Sequence, residues 1–117
     1  MNSVGIVRIR SRAADRYRSV PYEISPRHTE IKETLATPFG TLVREDYYGY
    51  PASESNVYMI DAAGNPVWFA ERPIDGDAFA NPLHSLGQRS VRCSSWKGFD
   101  CKIDLRHGKL IHAEFTK

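Results

Sequence analysis

The stretch VRCSSWKGFDCKI, residues 91–103, decides the fold class that we expect for this chain. Away from its centre, odd-numbered residues are apolar or small and even-numbered residues are polar. A two-residue loop would pair Cys93 with Lys102, because a slip of one residue turns every side chain to the opposite face. A three-residue loop at 96–98 instead makes inward-facing residues meet: Ser95 with Phe99, Cys93 with Cys101, and Val91 with Ile103. The stretch therefore predicts an antiparallel hairpin with one buried face.

Outward from this hairpin, short β-rich segments alternate with turn residues, which predicts a mainly β protein. Residues 25–37 allow either a helix capped by Ser25 and Pro26 or a strand, and we favour the strand because of the threonines. Residues 47–51, 61–66 and 104–108 are predicted turns, and strands are predicted at 4–10, 41–45, 57–60, 67–70 and 109–115. We expect an antiparallel meander that forms a small sandwich or open barrel, with one short helix allowed near residues 77–80.

Length and composition predict one domain spanning residues 1–117. Hydrophobic residues make up 41% and aromatic residues 11%, which is enough to build a core and argues against disorder. The absence of a long apolar run and of a secretory signal leads us to expect a soluble, cytoplasmic protein. We divide the domain into a basic N-terminal part, a first hairpin unit, a connection and a second hairpin unit: 1–40, 41–70, 71–90 and 91–117.

Charge is segregated along the chain although the net charge is only +2. Residues 1–32 carry seven basic and three acidic side chains, whereas residues 33–80 carry two and eight. Residues 81–117 again carry seven and three. If folding preserves this pattern, an acidic surface lies beside basic ones and would steer a charged partner.

One pattern occurs twice, at residues 58–68 and 101–111: a strand, Ile-Asp, a short turn with glycine, and a second strand. Asp61 and Asp104 occupy equivalent positions 43 residues apart, and we expect both carboxylates to set their turns by accepting backbone N–H groups.

The sequence VYMID at 57–61, followed by Gly64 and Trp68, resembles the repeats of quinoprotein-type β-propellers. The second unit is similar but has Ile111 in place of the tryptophan. The same pattern occurs in small stand-alone bacterial proteins of unknown function. Two blade-like units cannot close a ring within one chain, so the ring and cofactor of the propeller family are not implied. Assembly between chains, as a homo-oligomer, stays open.

No cofactor and no metal are expected, because the titratable residues do not show ligand spacing. The two cysteines face each other in the hairpin at a hydrogen-bonded pair, where geometry suits a disulfide poorly, so we expect reduced thiols. His84 and Ser85 are adjacent and lack the Gly-x-Ser-x-Gly motif, which favours structural roles. A hydrolase using His84 or His107 is therefore only an alternative hypothesis.

The leading hypothesis is a non-enzymatic protein that binds a macromolecular partner, such as a small bacterial inhibitor or immunity-type protein. Aromatic hot-spot residues would meet if the two turns lie side by side: Tyr47, Tyr48, Tyr50, Trp96 and Phe99. Packing of these rings into the core at the end of the sheet is the other interpretation. Acidic residues of the middle segment would meet a basic protein partner: Glu45, Asp46, Asp75 and Asp77. The alternative is nucleic-acid binding by an arginine cluster, which would otherwise be a charged edge strand: Arg8, Arg10, Arg12, Arg16 and Arg18.

Overall fold

The computed structural model describes residues 7–8, 19–20 and 24–116, the first two pairs by their backbone only. In this part of the chain all regular structure is β, and there is no helix. The strands, in chain order, are β1 (Val7–Arg8), β2 (Ser19–Val20), β3 (Ile31–Thr37), β4 (Gly40–Glu45), β5 (Val57–Ile60), β6 (Pro66–Phe69), β7 (His84–Leu86), β8 (Ser90–Ser94), β9 (Phe99–Asp104) and β10 (Leu110–Phe115).

The strands form two four-stranded antiparallel meanders and one small two-stranded sheet. The first meander has the order β3-β4-β5-β6, the second has the order β10-β9-β8-β7, and β1 pairs with β2. The mainly β, antiparallel prediction is confirmed, and so is the strand interpretation within residues 25–37. The first sheet begins at Ile31, inside the segment assigned above to the basic N-terminal part, and β7 lies in the segment assigned to the connection.

The hairpin of β8 and β9 has the register predicted from its sequence. Cys93 pairs with Cys101 and Val91 with Ile103. In the loop, Gly98 has φ of 100°, and its N–H donates to the Ser95 carbonyl at 3.1 Å. The three-residue loop and the buried face are confirmed.

A single hydrophobic core is shared by the two large sheets. Leu42, Val57 and Met59 enter it from the first sheet, and the inward residues of the hairpin enter it from the second. The opposite face of the first sheet is also buried, because Val43, Tyr58 and Ile60 pack with Ile24 and Ile31. The two large sheets thus pack face to face as in a small sandwich, and Ile24 packs on the far face of the first sheet.

The outer face of the second sheet is polar. Arg92 on β8 and Asp100 on β9 form an ion pair at 2.7 Å, and Lys102 is the cross-strand neighbour of Arg92. This ion pair lowers the pKa of the Asp100 carboxyl and raises the pKa of the Arg92 guanidinium. The outer face of the second sheet can therefore face water without a further layer packed over it.

The short helix allowed near residues 77–80 does not form. Phe79 instead makes an isolated antiparallel bridge with Ser95 and is fully buried in the shared core. Its N–H donates to the Asn56 side-chain oxygen at 2.8 Å, and the Asn56 amide donates to the Phe79 carbonyl at 2.8 Å. Because these long-range bonds satisfy the backbone of Phe79, local helical bonds are not required.

The repeated aspartates set their turns as predicted. Asp61 Oδ1 accepts the N–H groups of Ala63 and Asn65, both at 2.9 Å. Asp104 Oδ1 accepts the Arg106 N–H at 2.8 Å, and the side chain of Arg106 pairs with Asp104 Oδ2 at 2.8 Å. Hydrogen bonds from Arg106 hold the pKa of the Asp104 carboxyl well below its usual range.

Both cysteines are free and buried. The Cys93 thiol donates to the Asn81 carbonyl at 3.0 Å. Burial raises the pKa of each thiol to about 12. The two sulfurs thus act as small core groups and not as exposed nucleophiles.

Candidate functional site

Two loops meet at one end of the molecule and bring aromatic rings together. The Tyr47 ring, from the loop between β4 and β5, stacks on the Trp96 ring of the β8–β9 turn, with centroids 5.2 Å apart and planes at 22°. Trp96 is 57% exposed and the neighbouring Tyr48 is 80% exposed. The two turns therefore lie side by side, which is the condition under which the sequence predicts a joint aromatic surface.

These rings border a pocket of about 390 Å³, which we call the aromatic pocket. Its lining comes from three segments: residues 47–52, residues 76–78 and Trp96. The Asp46 carboxylate accepts the Tyr48 N–H at 3.0 Å, which holds the aromatic loop in its turn. A pocket of this size would take one side chain of a partner.

Asp77 belongs to the lining of the aromatic pocket and is only 1% exposed. Its Oδ1 accepts the N–H groups of Ala78 at 2.8 Å and Lys97 at 3.0 Å. Its Oδ2 is buried and accepts no hydrogen bond from any residue that the structure describes. A buried carboxylate oxygen without a donor is costly, so this atom needs a cation or a donor that the described residues do not supply.

Tyr50 forms the inner side of the aromatic loop and is buried. Burial, with the nearby Glu45 carboxylate, raises its pKa to about 12. The His28 ring meets the Tyr50 ring edge-on, with centroids 5.0 Å apart and planes at 86°. Tyr50 thus supports the loop from within, whereas Tyr47, Tyr48 and Trp96 present surface.

Glu45, assigned above to the acidic surface, lies inside the protein with no exposed area. Its carboxylate accepts the backbone N–H groups of three successive residues: Arg27 at 2.6 Å, His28 at 3.0 Å and Thr29 at 2.9 Å. It also accepts the Tyr58 hydroxyl at 2.5 Å. Both oxygens are occupied internally, so Glu45 has no free acceptor for a partner.

A second, more open groove of about 570 Å³ lies next to the aromatic pocket. Asp75 is exposed and lines this groove with Arg27, Glu54 and Phe69. The Arg27 guanidinium lies 4.7 Å from the centre of the Phe69 ring and donates to Glu54 at 3.2 Å. Hydrogen bonds from Arg27 and from His28 lower the pKa of the Glu54 carboxyl. The groove carries both signs of charge, and its Arg27 guanidinium already contacts Phe69 and Glu54.

The remaining predicted residues do not converge on the pocket. Phe99 instead meets the Phe115 ring of β10, with centroids 5.3 Å apart. His84 and Ser85 are exposed neighbours on β7, and the Ser85 hydroxyl donates to the Gly87 carbonyl at 2.9 Å. His107 lies 3.5 Å from Asp104 in a turn.

The arginine cluster cannot be placed as a surface. Arg10, Arg12, Arg16 and Arg18 lie outside the described residues, and only the backbone of Arg8 is described, in β1. Nucleic-acid binding therefore stays a prediction from sequence.

Within residues 24–116, no group of three or more His, Cys, Asp and Glu side chains could hold a metal ion. The same part of the chain contains no helix long and apolar enough to cross a membrane.

Sequence reasoning found the aromatic residues of the pocket but not the special position of Asp77. The sequence pattern predicts Asp77 only as one of several surface charges. Nothing in the local sequence shows that one oxygen of this carboxylate is bound by the β8–β9 turn while the other is not. No protein-family model matches the chain, and no curated protein or solved structure matches it either.

Proposed function

We propose that this chain is a non-enzymatic binding module whose aromatic pocket takes a basic side chain of a protein partner. The observation that carries the proposal is that Asp77, whose buried Oδ2 lacks a donor among the described residues, lines the same pocket as the stacked rings of Tyr47 and Trp96. A small inhibitor or immunity-type protein would use such a surface to hold its target.

The chemistry of the pocket favours a cation. Aromatic faces attract guanidinium and ammonium groups within about 6 Å of the ring centre, most strongly for tryptophan. A guanidinium in the pocket would also be attracted by the negative charge of the Asp77 carboxylate, because this residue belongs to the lining. Tyr, Trp and Arg dominate the hot spots of protein interfaces, which fits an arginine of a protein partner best.

The acidic middle of the chain supports the same partner. Of the acidic side chains in residues 33–80, Asp46 and Asp75 keep exposed area near the aromatic pocket. Exposed acids speed the approach of a basic partner, especially at low ionic strength. The two free thiols fit a reducing compartment, and we place the protein in the cytoplasm as part of this proposal.

The test uses a capped peptide, Gly-Gly-Arg-Gly-Gly, and the same peptide with norleucine in place of arginine. Binding is followed by NMR through the indole N–H of Trp96. We expect the arginine peptide to bind weakly, with Kd of about 1 mM, and the norleucine peptide at least ~10-fold more weakly.

Two carboxylate variants separate the pocket from general acidity. Asp77→Asn should weaken binding of the arginine peptide by about 10-fold or more, because the negative charge is lost. Asp75→Asn removes an exposed acid from the neighbouring groove and should leave Kd within about 2-fold. Equal affinity for both peptides, or equal losses in the two variants, would contradict a cation site at Asp77. Backbone amide spectra identify any variant that fails to fold.

A further inference from the structure

Strand β10 forms an exposed edge of the second sheet. It pairs with β9 on one side only, so its other side carries backbone groups that face no strand of the described structure. Residues 111–115 are all exposed. Such an edge is a ready template for another strand.

The other three edges of the two large sheets carry features that discourage pairing. Strand β3 contains Lys32, β6 begins with Pro66, and β7 is only three residues long. Strand β10 has six residues, LIHAEF, without lysine or proline. Strand β10 thus lacks the lysine, the proline and the shortness that protect the other edges, and its own protection is the bulge between Leu110 and His112 and the charge of Glu114.

The side chains of β10 alternate in a self-complementary way. Ala113 and Phe115 lie on the face of Cys101 and Phe99, whereas His112 and Glu114 lie on the face of Lys102 and Asp100. Two large apolar side chains flank Ala113 by two residues on either side and are left half uncovered: Ile111 is 53% exposed and Phe115 is 57% exposed.

We propose that β10 pairs antiparallel with β10 of a second copy of this chain, centred on Ala113. This register places Ile111 opposite Phe115 and His112 opposite Glu114, each twice because of the two-fold symmetry. The proposal brings the apolar side chains of Ile111, the residue at the bulge, and Phe115 together, and opposite charges or hydrogen-bond partners meet at His112 and Glu114. Centring the pair on Glu114 would oppose two carboxylates, and centring it on His112 would place Leu110 opposite Glu114.

The interface is small, so the association should be weak. A bulge between Leu110 and His112 interrupts the pairing of β10 with β9 and limits the regular edge to the four residues 112–115. So short an edge covers well under the ~800 Å² per partner of a stable interface. We therefore expect a Kd between about 10 μM and 1 mM.

Sedimentation of the full chain tests the proposal. The weight-average mass should rise from 13.3 kDa toward twice that value as the concentration increases from about 10 μM to about 1 mM. Ile111→Lys should weaken dimerisation at least ~10-fold, because a charge replaces half of each apolar pair. Val67→Lys is the matched control, since Val67 is 55% exposed on the edge strand β6, and it should leave the dimer unchanged.

A charge swap tests the register. Glu114→Lys alone should weaken the dimer, and adding His112→Glu should restore it to within about 3-fold of the original. A chain that stays monomeric at about 1 mM, a control variant that dissociates like Ile111→Lys, or a swap that gives no recovery would overturn the proposal. A monomer at this concentration would mean that β10 does not pair with a second copy of this chain, so that any strand bound at this edge would come from a different protein.

Discussion

Replacing Glu45 by glutamine should destabilise this fold strongly, although the change only exchanges an oxygen for an NH₂ group. The carboxylate is fully buried, and its two oxygens accept four hydrogen bonds. Oε1 accepts the N–H groups of His28 and Thr29, whereas Oε2 accepts the N–H of Arg27 and the hydroxyl of Tyr58. Through these bonds the carboxylate anchors residues 27–29 to the end of strand β4 in the first sheet.

Glutamine offers a single oxygen, so it cannot accept from all four donors. If that oxygen keeps the N–H groups of His28 and Thr29, the amide nitrogen faces Arg27 N–H and the Tyr58 hydroxyl. The hydroxyl can rotate and accept, but the backbone N–H cannot, and it loses its partner at a cost of about 1–3 kcal/mol. The bonds that survive are no longer charge-assisted, so the total loss in the free energy of unfolding should be about 2–4 kcal/mol.

Urea unfolding followed by tryptophan fluorescence measures this loss, and the corresponding fall in Tm is roughly 10 °C or more. Glu54→Gln is the matched control, because Glu54 is an exposed carboxylate that contacts Arg27 and His28 through side chains only. We expect its unfolding midpoint to stay close to that of the original protein. A Glu45→Gln variant within about 0.5 kcal/mol of the original would refute the anchoring role.

Two further predictions concern packing and pH. Gly108→Ala should lower the free energy of unfolding by about 1–3 kcal/mol more than Gly87→Ala. Both glycines have φ near +80°, but only at Gly108 would an added Cβ approach the Trp68 ring, 2.8 Å from Cδ2. Equal urea midpoints for the two variants would contradict this close packing. Burial raises the pKa of Cys93 and Cys101 to about 12, whereas an unfolded thiol has a pKa of ~8.5. The contribution of the two thiols to the free energy of unfolding is therefore complete below pH ~8.5 and declines as the pH rises from there toward about 12. Both thiols should therefore react with a disulfide reagent at pH near 8 only after unfolding in urea, and rapid labelling of the native protein would disprove it.

The β8–β9 hairpin could be predicted in detail because two independent constraints agree there. Side chains alternate with a period of two, and the loop length fixes which residues face each other. Gly98 supplies the left-handed conformation that the three-residue loop requires. The pairing of Cys93 with Cys101 follows from these local rules alone.

The acidic surface could not be predicted with the same success, because burial of a charge depends on contacts that are distant in sequence. Glu45 is 18 residues from Arg27, whose N–H it accepts, and Asp77 is 20 residues from Lys97. Neither partnership leaves a local pattern. Counting acidic residues along the chain therefore overstates the negative charge that a partner meets, whereas Asp46 and Asp75 do keep exposed area.

The segment around Phe79 shows the same difficulty for secondary structure. Its short polar and apolar residues are compatible with a helical turn, but its backbone is bound by the side chain of Asn56, 23 residues away. Tertiary hydrogen bonds of this kind override local propensity.

The resemblance of the two repeated units to propeller blades stays a prediction, but the structure shows which face of each unit lies in the shared core. In the aligned repeats Tyr58 and Ile60 correspond to Cys101 and Ile103, yet the first pair lies on the far face of its sheet and the second pair in the shared core. The units are thus stacked in the same sense, one face of the second sheet against the opposite face of the first. Stacking in one sense leaves an open face at each end of the array.

Both end faces of this stack carry groups that a further unit would have to displace. Ile24 packs on the far face of the first sheet, and ion-paired Arg92 and Asp100 make the outer face of the second sheet polar. A further unit added to that outer face would have to desolvate these charges, which is costly. We therefore expect no further unit to stack on these faces. The edge strand β10 is where we propose that two copies associate.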